Sequence, residues 1–477
     1  MPDATNRSRP TVAIVVVLAS CGLLVSLVQT MVVPLLPQFP RLMSVSPSTA
    51  SWLVASNLVA GAVSAPVLGR LGDMYGKRRM LLVALGLVAA GSLLGAVAPN
   101  IAVLLVARVL QGTAFGVIAL GMSLMRDVLP PDRVGSGVAL MSSSLGFGGA
   151  IGLPITGFVA QFASWRWLFA GAAVVGVVQV LLVRRMVPET AQHRSGRFDA
   201  VGAVGVGTTL VCVLLAVSKG NEWGWTSPVT LGLFVAAVVL LALSTRHLLR
   251  VRAPLVDLRV SARPAVLWTN IASIMIGFAM FAGFVLATQI LQAPEATGYG
   301  FGLSLIAAGV ALLPMGGSMV VFSTASARLS SRFGPRTTLV LGTALLGAGN
   351  LGFAVLPSNL GLLIAVATLA AVGAALAYSA VPLLIMRAVP ESETAAANSL
   401  NTLARQLGTS SCTAVAAAVT TASVVALDGR ILPSGFAYST TFLVAGAAGL
   451  VAMVIAILTP APDPIGEPVA PDLAAAR

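Results

Sequence analysis

Stretches of about twenty apolar residues follow one another along almost the whole chain, parted by short turns rich in Arg, Gly and Pro. Such a run matches the ~20 residues an α-helix needs to cross a bilayer, where every backbone N–H and C=O must find its partner within the protein. The composition agrees: 57% of residues are hydrophobic, 9% are charged and the mean hydropathy is +0.97, against about a quarter charged in soluble domains. The breaks predict fourteen spans, near 12–34, 49–70, 79–98, 101–123, 136–160, 166–187, 200–218, 228–246, 264–290, 300–325, 337–356, 359–386, 400–425 and 437–459.

Two pairs of segments repeat at a separation of roughly 260 residues, the mark of an internal duplication. GRLGDMYGKRR (Gly69 to Arg79) returns as ARLSSRFGPR (Ala327 to Arg336), and LPPDRVGSGVALMSSSLGFG (Leu129 to Gly148) returns as VPESETAAANSLNTLARQLG (Val389 to Gly408). At roughly 32 residues per span and loop, that separation holds eight spans and not six. The expected layout is therefore an N-terminal six-helix bundle over 1–190, two inserted linker helices over 191–262 and a C-terminal six-helix bundle over 263–460. The Pro- and Ala-rich tail, 461–477, reads as disordered.

Of the 28 Lys and Arg residues, 22 fall in the tails and loops of one side, four in the loops of the other, and Arg108 and Arg405 inside spans. The excess of positive charge marks the cytoplasmic side, so both termini are expected there. The net charge of +13 is spread over eight short segments and does not form a basic face. It reads as a topology signal facing membrane lipids, not as a nucleic-acid surface. Arg7 and Arg9 ahead of LASC (Leu18 to Cys21) have the look of a lipoprotein signal, but the apolar run continues to Val33 and reads as a full first span. Cys21, Cys212 and Cys412 lie in predicted spans and the two histidines, His193 and His247, in loops; no metal centre or disulfide is expected. No cofactor is expected either, and the spans hold no carboxylate pair or nucleophile with a base, so an enzyme is not expected.

The loop from Gly69 to Arg79 fits the pattern G-x-L-x-D-x-x-G-x-[RK], and with its second copy it resembles the signature loop of the major facilitator superfamily. The resemblance implies an all-α polytopic membrane protein with the major facilitator fold. It also implies that the loop is a latch on one access state, with Asp73 and Arg78 as gating residues; the second copy has Ala327 and Ser331 where the first has Gly69 and Asp73. Chemically, Gly69 and Gly76 allow a tight reversal with close helix approach, and Asp73 can face the positive end of a neighbouring helix. In the fourth span Arg108, Gln111 and Gly112 match the family's R-x-x-Q-G pattern, which implies proton transfer or a tie to the first span. An arginine there costs ~2.5–3.5 kcal/mol on insertion scales unless it snorkels to the interface. Gly148, Gly152 and Pro154 in GFGGAIGLPITG resemble the Gly/Pro motif of the exporter branches, with Leu153 intruding between Gly and Pro. Together with fourteen spans, WGW (Trp223 to Trp225) and SWRWLF (Ser164 to Phe169), the chain resembles the fourteen-helix drug:proton antiporter branch.

One departure matters. Where that branch carries an acid and an Asn in its first span, this chain has Val28 and Val33, and a proton carrier needs a titratable group reachable from both sides. The mid-span polar residues are neutral amides. Gln29 and Gln289 occupy matching positions in the two halves and are the first choice for substrate contact, joined by Asn57, Gln111, Gln292 and Tyr378, with Asn270 nearby. Arg405 either faces a cavity and an anionic substrate or lies near the cytoplasmic end against lipid phosphate, the reading favoured by sequence.

The expectation is a monomeric plasma-membrane transporter that moves a small amphipathic or hydrophobic molecule outward in exchange for protons. The alternatives are a facilitator or importer of a neutral metabolite without proton coupling, and a ligand sensor on a transporter scaffold.

Overall fold

The computed structural model describes residues 4–36, 38–189, 198–251, 254–256, 258–355, 358–390, 393–427 and 430–460; the tail expected to be disordered and much of the connector after Glu189 lie outside them. Fourteen long helices carry the architecture: α1 (Ala4–Thr30), α2 (Pro47–Tyr75), α3 (Lys77–Ala96), α4 (Ile101–Val128), α5 (Pro131–Phe162), α6 (Arg166–Met186), α7 (Ala200–Trp223), α8 (Pro228–Arg250), α9 (Pro264–Gln292), α10 (Leu305–Phe333), α11 (Pro335–Ala354), α12 (Leu360–Ala388), α13 (Thr394–Ala422) and α14 (Gly435–Leu458). Polar residues start many of them. The side chains of Ser46, Asn100, Ser227, Ser304, Asn359 and Ser434 each accept a first-turn N–H, supplying a partner that the helix itself cannot.

Thirteen of these helices are long and apolar enough to cross a membrane among the described residues. The exception is α13, whose 29 residues suffice in length but include Asn398, Asn401, Arg405 and Gln406. It begins at Thr394, earlier than the predicted 400, because AAANSL continues the helix toward Pro390. Among the described residues two short strands accompany the helices: β1 (Val424–Leu427) pairs antiparallel with β2 (Arg430–Pro433) between α13 and α14.

Two apolar cores organise the bundle. One joins residues of α1 to α6, including Leu18, Val25, Leu53, Leu85, Met141 and Phe169. The other joins residues of α9 to α14, including Ile276, Leu286, Met319, Leu346 and the stacked pair Phe353 and Phe442, whose ring centroids are 4.6 Å apart. They meet along two seams. On one, α5 packs against α10 and α12; on the other, α13 packs against α2 and α4. The inserted helix α7 lies over the second seam, touching both α2 and α13, and α8 packs on α7. Leu403 of α13, Ala62 and Ala65 of α2, Phe115 of α4 and Leu214 of α7 form the small apolar cluster where these four helices converge.

The duplicated turn is visible in the backbone. Gly76 between α2 and α3 has φ 107°, and Gly334 between α10 and α11 has φ 85°, conformations that a side chain would strain. Gly69, expected from sequence to share in the reversal, instead lies inside α2, where only a missing side chain leaves room for Ser399 Oγ of α13.

Candidate transport site and gate

The residues expected at the gate gather where α2 ends. Asp73 is buried in its last turn, and its carboxylate accepts the Ala396 backbone N–H of α13 at 3.2 Å. The Glu393 cap position of α13 offers no side-chain bond of its own. Asp73 thus caps, from the opposite half, the first turn of that helix and its positive dipole end. Around it, Lys77 Nζ lies 2.6 Å from Asp127 at the end of α4, both nearly buried. The Arg78 N–H donates to Glu189 at 3.2 Å and its guanidinium to the Arg184 carbonyl, while Arg79 lies 3.7 Å from Glu189. The turn is therefore tied both to its own half and across the seam.

Arg108 does not snorkel. It is 1% exposed and ties four helices: Nε donates to the Leu53 carbonyl of α2 (2.8 Å), and Nη1 donates to the Val28 carbonyl of α1 (3.0 Å) and to Gln111 (2.8 Å). Gln111 in turn donates to Ser92 of α3 at 2.9 Å, and Asn57 donates to the Arg108 carbonyl at 3.0 Å. Two of the amides expected at the substrate, Asn57 and Gln111, are engaged in holding this arginine.

In α5 the expected glycines face α1. A Cβ on Gly152 would stand 2.3 Å from Thr30 Oγ1, and one on Gly148 2.8 Å from Ser26 Cβ. Pro154 faces the other half, where a Cβ on Gly309 of α10 would meet it at 2.8 Å. The motif is a two-sided packing strip in which small residues let backbones approach.

The remaining amides are dispersed. Gln29 is half-buried in α1 and makes no side-chain hydrogen bond among the described residues. Gln289 is exposed in α9 and accepts from the Tyr438 hydroxyl at 3.3 Å; Gln292 is exposed and donates to the Thr288 carbonyl of its own helix at 3.1 Å. No described contact joins Gln29 to Gln289. Tyr378 is buried in α12, its ring centre 4.9 Å from the Arg405 guanidinium carbon. Asn270 accepts from Asn401, which also donates to Ser273 at 2.7 Å, tying α13 to α9.

Sequence reasoning missed two polar clasps on the inserted hairpin. At one end Lys219, 1% exposed, pairs with Glu222 at 2.8 Å and donates to the Ser48 carbonyl and the Ser51 hydroxyl, with its ammonium 4.9 Å from the Trp52 ring centre. At the other, Asp199 accepts from Gly202 N–H (2.8 Å), His247 Nε2 (2.9 Å) and Leu255 N–H (3.3 Å). Burial pushes the Asp199 carboxyl up, but these bonds outweigh it and hold the group below the ordinary carboxylate range. The i, i+3 spacing of Lys219 and Glu222 beside Trp223 was the available signal.

Comparison with known proteins bears on this arrangement directly. The model of the Major Facilitator Superfamily matches residues 18–413 and, in a second match, 294–475. The chain belongs to the Major Facilitator Superfamily. Among relatives of this facilitator, the lincomycin resistance protein of Streptomyces lincolnensis is 30% identical over 469 residues, covering 97% of this chain and 94% of that protein. The tetracenomycin C resistance and export protein of Streptomyces glaucescens is 29% identical over 366 residues, covering 76% of this chain and 66% of that one, slightly under two thirds of its length. An uncharacterized transporter of the same type from Bacillus subtilis, YhcA, is 25% identical, with 71% of this chain matched to 62% of it. The fold matches the human organic anion transporter MFSD10 with a TM-score of 0.65 at 16% identity, covering 94% of this chain and 99% of that one. It matches the proton:xylose symporter XylE with the same TM-score at 15% identity, covering 95% and 96%. The chain is thus a multi-pass member of a family of membrane transporters.

Proposed function

We propose that this facilitator exports small amphipathic or hydrophobic molecules by alternating access, in exchange for protons, from the plasma membrane with both termini cytoplasmic. The observation that carries the reading is the bond from Asp73 to the start of α13. It joins the two halves at the end of the bundle that bears the α2–α3 turn, so rocking the halves apart there must break it. Export as the direction is supported by the resistance relatives and by the Gly/Pro strip of α5. The chain is read as fourteen-helix in organisation, with 1–190 and 263–460 as the moving bundles, the α7–α8 hairpin over one seam, and one copy sufficient for transport.

Within this reading Gln29 and Gln289 remain the first amides to contact substrate, with Tyr378 on the far wall. Asp73 and Arg78 act at the gate, Arg108 holds α1 to α4, and Gly148, Gly152 and Pro154 set the α5 packing. Accumulation of cationic dyes and antibiotics in cells carrying the protein, with and without an uncoupler, tests it: accumulation unchanged across the panel sinks the multidrug version.

A second reading, transport of a neutral metabolite without proton coupling, rests on a specific observation. The acids of the described helices lie at their ends: Asp73 in the last turn of α2, Asp127 at the end of α4 and Glu222 in the last turn of α7. Proteoliposomes loaded without a pH gradient decide between them, because a facilitator equilibrates its substrate fully and an antiporter concentrates it only with the gradient.

A further inference from the structure

Arg405 is a charge that nothing described so far employs. It lies in α13, eleven residues beyond Thr394, which places it about 16 Å along a helix that rises 1.5 Å per residue. The sequence reading favoured a position near the membrane surface against lipid phosphate. Instead the side chain is 6% exposed and held under the Tyr378 ring of α12. Both helices border the opposite half, α12 against α5 and α13 against α2 and α4.

Its charge is unmatched. No acidic side chain lies within ion-pair distance of Arg405 among the described residues. Nη2 donates to Thr402 Oγ1 at 3.3 Å, and Nη1 is buried without a hydrogen-bond partner. One further step down the same face, Asn398 is 2% exposed, and both Nδ2 and Oδ1 of its amide are buried without partners. Asn398, Thr402 and Arg405 stand at i, i+4 and i+7, so they form one stripe. Side chains on a helix lean toward its N-terminus, which carries the guanidinium toward Asn398. The bond to Thr402 records that lean.

Three other buried cations of this chain are each met by polar partners. Arg108 is met by carbonyls and Gln111, Lys77 by Asp127 and Lys219 by Glu222. Arg405 has a ring on one side and open donors on another. A buried unpaired charge is costly and is found where a ligand or counter-ion completes it, and a guanidinium presents a planar fork suited to a carboxylate or phosphate.

We propose that the Arg405 guanidinium, with the Asn398 amide beside it and Tyr378 above it, is a binding site for an anionic group, a carboxylate or phosphate carried by a small organic molecule. The inference builds on the export reading by naming a class of cargo: an organic anion whose apolar body rests against Tyr378. A lipid phosphate has the same chemistry, and the experiment separates the two sources.

Full-length protein is reconstituted in phosphatidylcholine nanodiscs, with and without phosphatidylglycerol, and titrated with fluorescein, read by anisotropy, with benzoate and inorganic phosphate as competitors. Wild type is expected to bind fluorescein, and Arg405→Gln to bind it about tenfold more weakly, the loss of a charged hydrogen bond. Arg405→Lys should recover part of the loss, and the fluorescein methyl ester should bind both proteins alike. Thermal melting of each variant establishes that it is folded. Competition by benzoate or phosphate supports a free organic anion, and displacement by phosphatidylglycerol alone assigns the same site to lipid. Equal fluorescein affinity in wild type and Arg405→Gln, or a wild type that binds none of the anions including phosphatidylglycerol, overturns the proposal. Efflux from cells is measured separately, so a protein that binds the anion at Arg405 without exporting it refutes the export reading and leaves the site standing.

Discussion

The carboxylate of Asp73 caps α13 from the other half of the molecule, accepting the Ala396 N–H at 3.2 Å. A helix end is ordinarily capped by its own flanking side chain. Here the cap arrives through the fold, and under the proposed alternating access it is a bond that one access state would have and the other would lack. Asp73→Ala is expected to shift the balance of states by about tenfold, the worth of a hydrogen bond to a charged group. Cysteine-labelling rates at the two ends of the bundle, compared with wild type, report that shift; unchanged rates at both ends count against the latch.

Arg108 holds α1, α2, α3 and α4 together through Val28, Leu53, Gln111 and, by way of Gln111, Ser92. Arg108→Ala removes these donors from buried acceptors and is expected to cost about 1–3 kcal/mol. Arg108→Lys should cost less, since an ammonium reaches fewer of them. Thermal unfolding in detergent gives the ranking.

The α5 strip is tested by adding one methyl at a time. Gly152→Ala drives a Cβ to 2.3 Å from Thr30 Oγ1, and Gly309→Ala brings one to 2.8 Å from Pro154. Each is expected to destabilise by about 1–3 kcal/mol, as overpacking does. Gly86→Ala, with no atom within 4 Å of its Cβ, is the control and should be neutral or slightly stabilising.

Asp199 gives a pH dependence with a definite sign. Its folded-state carboxyl is held below the ordinary value, so the ionised form is favoured by folding. The stabilisation is fully present above the unfolded carboxylate pKa, ~3.9, and is lost as the pH falls through the lower folded value. Asp199→Asn should therefore lower the melting temperature at neutral pH and narrow its gap to wild type in acid. A gap that stays constant across the carboxylate range contradicts the assignment.

Much of the architecture could be read in the residues because it follows from composition. Lipid forces apolar runs into helices, and Gly76 and Gly334 mark the same reversal in both halves since both must adopt positive φ. What hydropathy does not report is direction. It counts the amides of α1, α4 and α9 alike, although Gln111 is locked to Arg108, Gln289 is exposed beside Tyr438 and Gln29 has no described partner. Nor does it show that Lys219, which as a bare charge resembles a topology marker, is buried beneath Trp52. These are tertiary facts, set by which neighbour a side chain meets.

The polarity of α13 has a consequence for how the protein is made. Among the described residues thirteen helices are long and apolar enough to cross a membrane; α13, with Asn398, Asn401, Arg405 and Gln406 along it, is not. Among the described residues Asn401 is met by Asn270 and Ser273 of α9, and Arg405 by Thr402 of its own helix and the Tyr378 ring of α12. A helix of this polarity is expected to enter the bilayer against α9 and α12 and not alone, and the chain order delivers both of them first.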